Sequence, residues 1–368
     1  MREGLMSVLI LLFVVGVTDA QQKGKPAQFV EPTEVLGKTF KEWVKEIHAK
    51  DPSRREEAMK AVLQFGPERA YEAVPDILKE LNRHKTVNVD LAVRVNGIVT
   101  VSTILRHQKK ADPALLKDAL AVYKMCLKDS QAIMKVRAVQ GLPAVGPIAH
   151  EAIEEVIVVA RDPVAWELRK EGLQTLTIIG FNDKGVPSPK LLPELRRALD
   201  DPSVQVKLTA LNALALVSHA NLTKADESAN LAKLNSHLQS ETDKIGIIWT
   251  HVTIISATKD VSKKHIGPIT TALKDADTRV RSQALSALAS VGVKAKPLAY
   301  RAVEEALDDP DPSIAIAAIA TLVQLHADES IPVLQKIMDN KKASQVMREA
   351  AEEAIDQLKL LTSKSKEK

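Results

Sequence analysis

The feature that most constrains this chain is a pattern that returns every 34 to 38 residues. With Asp275 to Val291 as reference, Asp309, Ile314, Ala318, Ile319, Leu322 and Leu325 stand 34 places beyond Asp275, Val280, Ala284, Leu285, Leu288 and Val291. Two repeat lengths earlier come Asp201, Val206, Ala210, Leu211, Leu214 and Val217, with Trp249, Val252 and Ile255 between the two. Older copies run through Met134, Ala138, Val139, Leu142 and Val145, through Leu168, Leu173, Leu176 and Ile179, and through Arg55, Ala58, Met59, Val62 and Phe65. A unit of this length holds two helices and two short turns, since a pair of three- to four-turn helices needs about 24 to 30 residues. The three- and four-residue intervals put one apolar stripe on each second helix, and the recurrent Ala lets neighbouring helices come close. A lone hairpin cannot bury that stripe, so the units must stack into a rod.

Composition agrees with helix on helix. Hydrophobic residues make up 45% of the chain but aromatics only 3%, and there are 14 glycines, so the apolar mass is Ala, Leu, Val and Ile rather than the aromatic and Gly-rich vocabulary of sheets. Punctuation is regular too. Asp-Pro-Ser at 51–53, 201–203 and 311–313 is expected to open second helices, with Asp or Ser capping free amides and Pro where no amide is needed. Pro75, Pro147, Pro193, Pro268, Pro297 and Pro332 are expected in the first turns of first helices.

The run of Pro, Leu-x-Asp, then Asp-Pro-x-x-x-Val-Arg-x-x-Ala-x-x-Ala-Leu resembles HEAT repeats, the phycobilin-lyase-like subtype included, over roughly residues 39 to 361. The resemblance implies an all-α fold, a right-handed α-solenoid of about nine helical pairs, with irregular stretches at 82–112 and 218–244. It also gives a reading for the basic residue six places after an acidic one in Asp129/Lys135, Asp201/Lys207 and Asp275/Arg281, with Arg169 in the matching place. These resemble an inter-repeat ladder that is structural in the family. Ala315 stands where the base after Asp309 should be, so the ladder is expected to break there.

The ends read differently. Arg2, the apolar run Leu5 to Val17 and the small residues around Ala20 form a signal peptide over 1–20, cleaved before Gln21; the run is shorter than the roughly 20 residues a spanning helix needs. Export to the periplasm or beyond, with no integral membrane segment after cleavage, is the expectation. Residues 21–38 read as a flexible segment and 362–368 as a basic, disordered tail.

Little points to catalysis. Cys126 is alone and lies on an apolar helical face, which makes it a buried small hydrophobe. The nine His residues form no His-Glu-x-x-His, and a single His-Glu dyad, His150-Glu151, falls short of the several that deoxyhypusine hydroxylases of the HEAT family use for di-iron. Walker, Gly-x-Gly-x-x-Gly and Gly-x-Ser-x-Gly motifs are missing. No metal, cofactor or catalytic residue is assigned, and the protein reads as a non-enzyme. A net charge of +4 from 51 basic and 47 acidic residues, interspersed, speaks against nucleic acid. Asn221-Leu222-Thr223 is a glycosylation sequon. The outward positions of the second helices, Thr209, Asn212, Ser282, Gln283 and Ser286, are small, polar and uncharged, and Trp249 is a possible anchor. They suggest a scaffold that takes a protein or peptide partner along its concave face and the irregular stretches, read as insertions; the alternative is a bilin-lyase-like or other small-ligand-handling protein, and a polysaccharide binder comes third because the chain has only eleven aromatics in all.

Overall fold

A computed structural model describes residues 31–83, 90–108, 110–182 and 184–366. Residues 1–30, on which the expected signal peptide falls, and Glu367 and Lys368 of the tail lie outside it. The described residues form nine helical pairs. In order, first helix then second, these are α1 (Phe40–Glu46) and α2 (Pro52–Ala61); α3 (Pro67–Tyr71) with α4 (Val74–Arg83), and α5 (Leu91–Arg106); α6 (Pro113–Leu127) and α7 (Ala132–Gly141); α8 (Ile153–Ala160) and α9 (Trp166–Ile179). The remainder are α10 (Leu191–Ala198) and α11 (Val204–Val217); α12 (Lys224–Ser240) and α13 (Lys244–Thr258); α14 (Lys263–Ala272) and α15 (Thr278–Val291); α16 (Lys296–Glu305) and α17 (Pro312–Gln324); α18 (Ile331–Asp339) and α19 (Gln345–Lys366). This is an all-α solenoid.

Each second helix packs on the second helix of the next pair, from α2 through α5, α7, α9, α11, α13, α15 and α17 to α19. Consecutive first helices touch less, so the second helices form the inner row. Aligning that row shows why. Counting from Arg55, Arg94, Lys135, Arg169, Lys207, Ile247, Arg281 and Ala315, the residue three places on is Ala58, Gly97, Ala138, Gly172, Ala210, Thr250, Ala284 or Ala318, all of them small. At Gly172 a Cβ would sit 2.7 Å from the Ala160 amide nitrogen, so α8 and α9 close only because nothing is there. Six places on, the hydroxyls of Thr100 and Thr175 donate to the carbonyls of Met59 and Val139 on the preceding second helix, at 3.0 and 2.9 Å, and that of Thr253 is shared between the Leu211 carbonyl there, at 3.2 Å, and the Trp249 carbonyl of its own helix, at 2.8 Å. A small or β-branched residue at that place lets one helix approach the next, and the three threonines also bond it.

Several expectations need correction. Residues 34–39 are a β-hairpin, Glu34–Val35 against Lys38–Thr39, not a flexible lead. Leu36 and Gly37 turn it with positive φ, and the Trp43 indole N–H donates to the Val35 carbonyl at 2.8 Å. The stretch 82–112, apart from residues outside the described set, holds the regular helix α5, and 218–244 holds α12, an ordinary first helix capped by Thr223. Neither is an insertion. The tail is helical through Lys366, as part of α19. Asp51 and Asp311 cap helices that start at Pro52 and Pro312, but at 201–203 the register shifts by two and Ser203 takes the cap position. Pro268 lies inside α14 rather than in its first turn.

Candidate protein-binding surface

The charged ladder runs along the edge where the turns lead into the second helices. Arg169 donates to both carboxylate oxygens of Asp201, at 2.7 and 2.8 Å, and Arg281 to both of Asp309, at 2.7 and 2.9 Å. Arg94 bonds Asp129, Arg55 meets Asp90 at 2.8 Å, Lys207 meets Glu241 at 2.5 Å, and Lys135 lies 3.9 Å from Asp162. The side chains of a six-residue pair therefore do not meet, although Arg281 donates to the Asp275 backbone carbonyl at 2.9 Å; each base holds the acid of the following pair. Most of these acids also accept from their own turn, as Asp201 does from the Ser203 amide at 2.9 Å and Asp309 from the Asp311 amide at 2.9 Å. Burial pushes the Asp201 carboxyl up, but the Arg169 guanidinium and the Ser203 amide outweigh it and hold it below the usual carboxylate range. The Arg281 bonds do the same for Asp309. Asp309 is thus a full member, and the ladder stops after it because Ala315 passes nothing on.

Arg55, Arg94, Asp90, Asp162 and Glu241 escaped sequence reasoning. Arg94 stands four places after Asp90 and Glu241 is followed at six by Ile247, so the spacing rule did not flag them. The helix alignment, with Gly97 three places after Arg94, would have found the first.

Residues singled out for binding fall into columns on the inner row. Thr209, Trp249 and Gln283 share the place two after the ladder position, Asn212 and Ser286 the place five after it, and Ser282 the place one after. The Trp249 N–H donates to the Gln283 carboxamide oxygen at 2.8 Å, joining α13 to α15. Thr209 and Ser286 donate to carbonyls of their own helices, at 2.8 and 3.1 Å, and stay within the helical surface. In the third and fourth pairs the same columns are charged: Arg137 donates to Gln140 at 3.0 Å and Gln140 to Glu171 at 3.0 Å. From Gln174 through Asn212, Gln283, Ser286 and Ala317 to Ala320 both columns are uncharged, although Val252 is buried. Cys126 is 1% exposed, and burial pushes its thiol up to about 12, so it is no nucleophile. An open hollow of ≈ 320 Å³ lies at the ladder edge, lined by Leu273, Asp275, Arg281, Ala306, Asp309 and Pro310, away from these columns.

The family model for HEAT repeats matches residues 266–356. Over that stretch the chain carries HEAT repeats. HEAT repeats thus span α14 to α19, and the same register continues back to α2. The sequence is similar to "Uncharacterized phycocyanin operon protein Z" of Pseudanabaena tenuis, 22% identical over 172 residues, 47% of this chain and 82% of that protein. Among solved structures, a crystal structure of importin beta superposes with a TM-score of 0.58 at 12% identity, over 86% of this chain. The chain covers 46% of that importin beta, so the likeness is one of fold. Among the described residues no helix is long and apolar enough to cross a membrane, and no three His, Cys, Asp or Glu side chains come together as a metal-ion site would require.

Proposed function

We propose that this α-solenoid is an exported, non-enzymatic scaffold that takes a protein or peptide partner along its inner row of second helices. The observation that carries this reading is the pair of aligned columns around Asn212, Trp249, Gln283 and Ser286, where uncharged side chains continue from one pair to the next. Such a surface favours hydrogen-bonded and apolar contact with a polypeptide over steered capture of a charged polymer. Export rests on the apolar run Leu5 to Val17. Affinity capture from the exported fraction of the source organism, using the chain from Gln21, tests it. A partner held by the parent and by Val158→Arg, on the exposed face of α8, but lost with Asn212→Arg/Ser286→Arg, supports the inner row; a partner indifferent to both variants overturns it.

The match to a phycocyanin operon protein favours a second reading, handling of a linear tetrapyrrole. With Cys126 buried and its thiol raised, attachment through that residue is not part of it. Titration of biliverdin against the purified chain decides: a shifted absorption band that saturates supports this reading, and an unshifted spectrum retires it.

A further inference from the structure

The sixth pair departs from the repeat at two places at once. Where neighbouring second helices carry Lys207 and Arg281, α13 has Ile247, and where they carry Met59, Ile98, Val139, Leu173, Leu211 and Leu285, it has His251. His251 is 6% exposed and its Nδ1 lies 3.0 Å from Nδ1 of His265 on α14, which is 2% exposed. Two nitrogens facing each other at that distance share one hydrogen. Asp260 Oδ2 stands 3.6 Å from Nε2 of His265 and favours the N–H there, leaving His265 Nδ1 to accept and His251 Nδ1 to donate. Doubly protonated rings would set two N–H donors head to head.

The surroundings of this pair are loosened. Pro268, inside α14, has no N–H for the carbonyl of residue 264, one residue from His265. Lys259, in the turn that joins α13 to α14, holds a left-handed φ of 62° without being glycine. The buried apolar side chains fall into two clusters that meet at α13, Ile254 belonging to the first and Ile248, Val252 and Ile255 to the second, with Trp249 packed against both.

We propose that the sixth pair is a pH-operated articulation of the rod, in which acid breaks the His251–His265 contact, parts α13 from α14, and lets the two blocks on either side move against each other.

The charged groups that face the pair are few. Asp260 lies in the α13–α14 turn and Lys264 on α14; Lys259 of the same turn lies 3.4 Å from His219. Of the elements packed against α13, α11 carries Lys207, bonded to Glu241 just past α12, with His237 3.3 Å from that carboxylate. α15, which also packs on α13, carries Arg279 and Arg281, held by Asp277 and Asp309. Burial, then the His265 ring and Lys264, hold the His251 ring down at about 4 from its ordinary 6.5; burial also lowers His265, against Asp260. The closed form therefore binds fewer protons than the open one between those values, and opening gains as pH falls through that window. For one ring freed to its ordinary value, the opening constant rises about thirtyfold from pH 7.5 to pH 5.

Hydrogen exchange of the full chain at pH 7.5 and pH 5, corrected for intrinsic exchange, tests the proposal. Amides of 244–258 and 263–272 are expected to lose protection about thirtyfold while 166–217 and 278–324 hold theirs. The variant His251→Leu/His265→Leu, which installs the side chain of Leu211, Leu285 and Leu191 at the matching places, is expected to abolish the loss. If it does not fold, His251→Gln, which can bond but not titrate, is expected to reduce it severalfold. Protection that is flat with pH in the parent, that falls equally in every pair, or that falls undiminished in the variants overturns the articulation.

Discussion

Two joints along the same rod are built differently. Between the fourth and fifth pairs, Arg169 forks onto Asp201, and Leu173 and Leu211 fill the aliphatic place. Between the sixth and seventh, Ile247 replaces the base, and Lys244, with its side chain 61% exposed, reaches Asp275 at 2.6 Å from the rim. Trp249 bonds Gln283 at the surface, while His251 stands where leucine would pack. At both joints second helix packs on second helix. A repeat register therefore dictates the path of the chain without distributing stability evenly along it, because path depends on small residues at the contact and stability on what fills the remaining places.

The largest way to break this comparison is Arg169→Ala, which leaves the Asp201 carboxylate buried and unpaired; a loss of about 3 to 5 kcal/mol in urea unfolding is expected. Lys244→Ala, the matching deletion at the other joint, is expected to cost under about 1 kcal/mol, since its cation is exposed. Equal costs would mean that the joints are alike. Next comes Leu211→Ala, expected to cost about 2 to 5 kcal/mol at any pH, whereas His251→Leu at the equivalent place is expected to raise the midpoint at pH 5 and flatten its pH dependence. A smaller effect sharpens the picture: Thr175→Ala removes the hydroxyl bond to the Val139 carbonyl and is expected to cost about 1 kcal/mol, measured in the same unfolding series.

Acid should separate the joints in stages. The histidines of the sixth pair, neutral when packed, give up their contribution as pH falls from the ordinary histidine value towards about 4. Asp201 and Asp309, held below the usual carboxylate range, contribute above that range and lose it only as pH falls through their lowered values. Circular dichroism during acid titration is expected to show two steps, the first in the histidine window and the second below the carboxylate range; a single transition below the carboxylate range would contradict this order.

Much of the fold was legible because the repeat is written in small and aliphatic residues at fixed intervals, as in Ala210, Leu211 and Leu214 against Ala284, Leu285 and Leu288. It became illegible where chemistry changed while geometry did not. Gly97 and Arg94 stand in register, but the shortened spacing to Asp90 hid α5, and the polar surface of Lys224–Ser240 made an ordinary first helix read as an insertion. The candidate surface was found in part: the columns through Thr209 and Ser286 follow from helical periodicity, whereas the Trp249–Gln283 bond and the meeting of His251 with His265 depend on contacts between helices that no spacing rule reports.

The most direct test of the rod as two blocks joined at its sixth pair is small-angle X-ray scattering of the full chain at pH 7.5 and pH 5, beside His251→Leu/His265→Leu. The account predicts a pair-distance distribution that changes with pH in the parent and stays fixed in the variant. Superimposable parent curves, or a change that the variant shares, would contradict it.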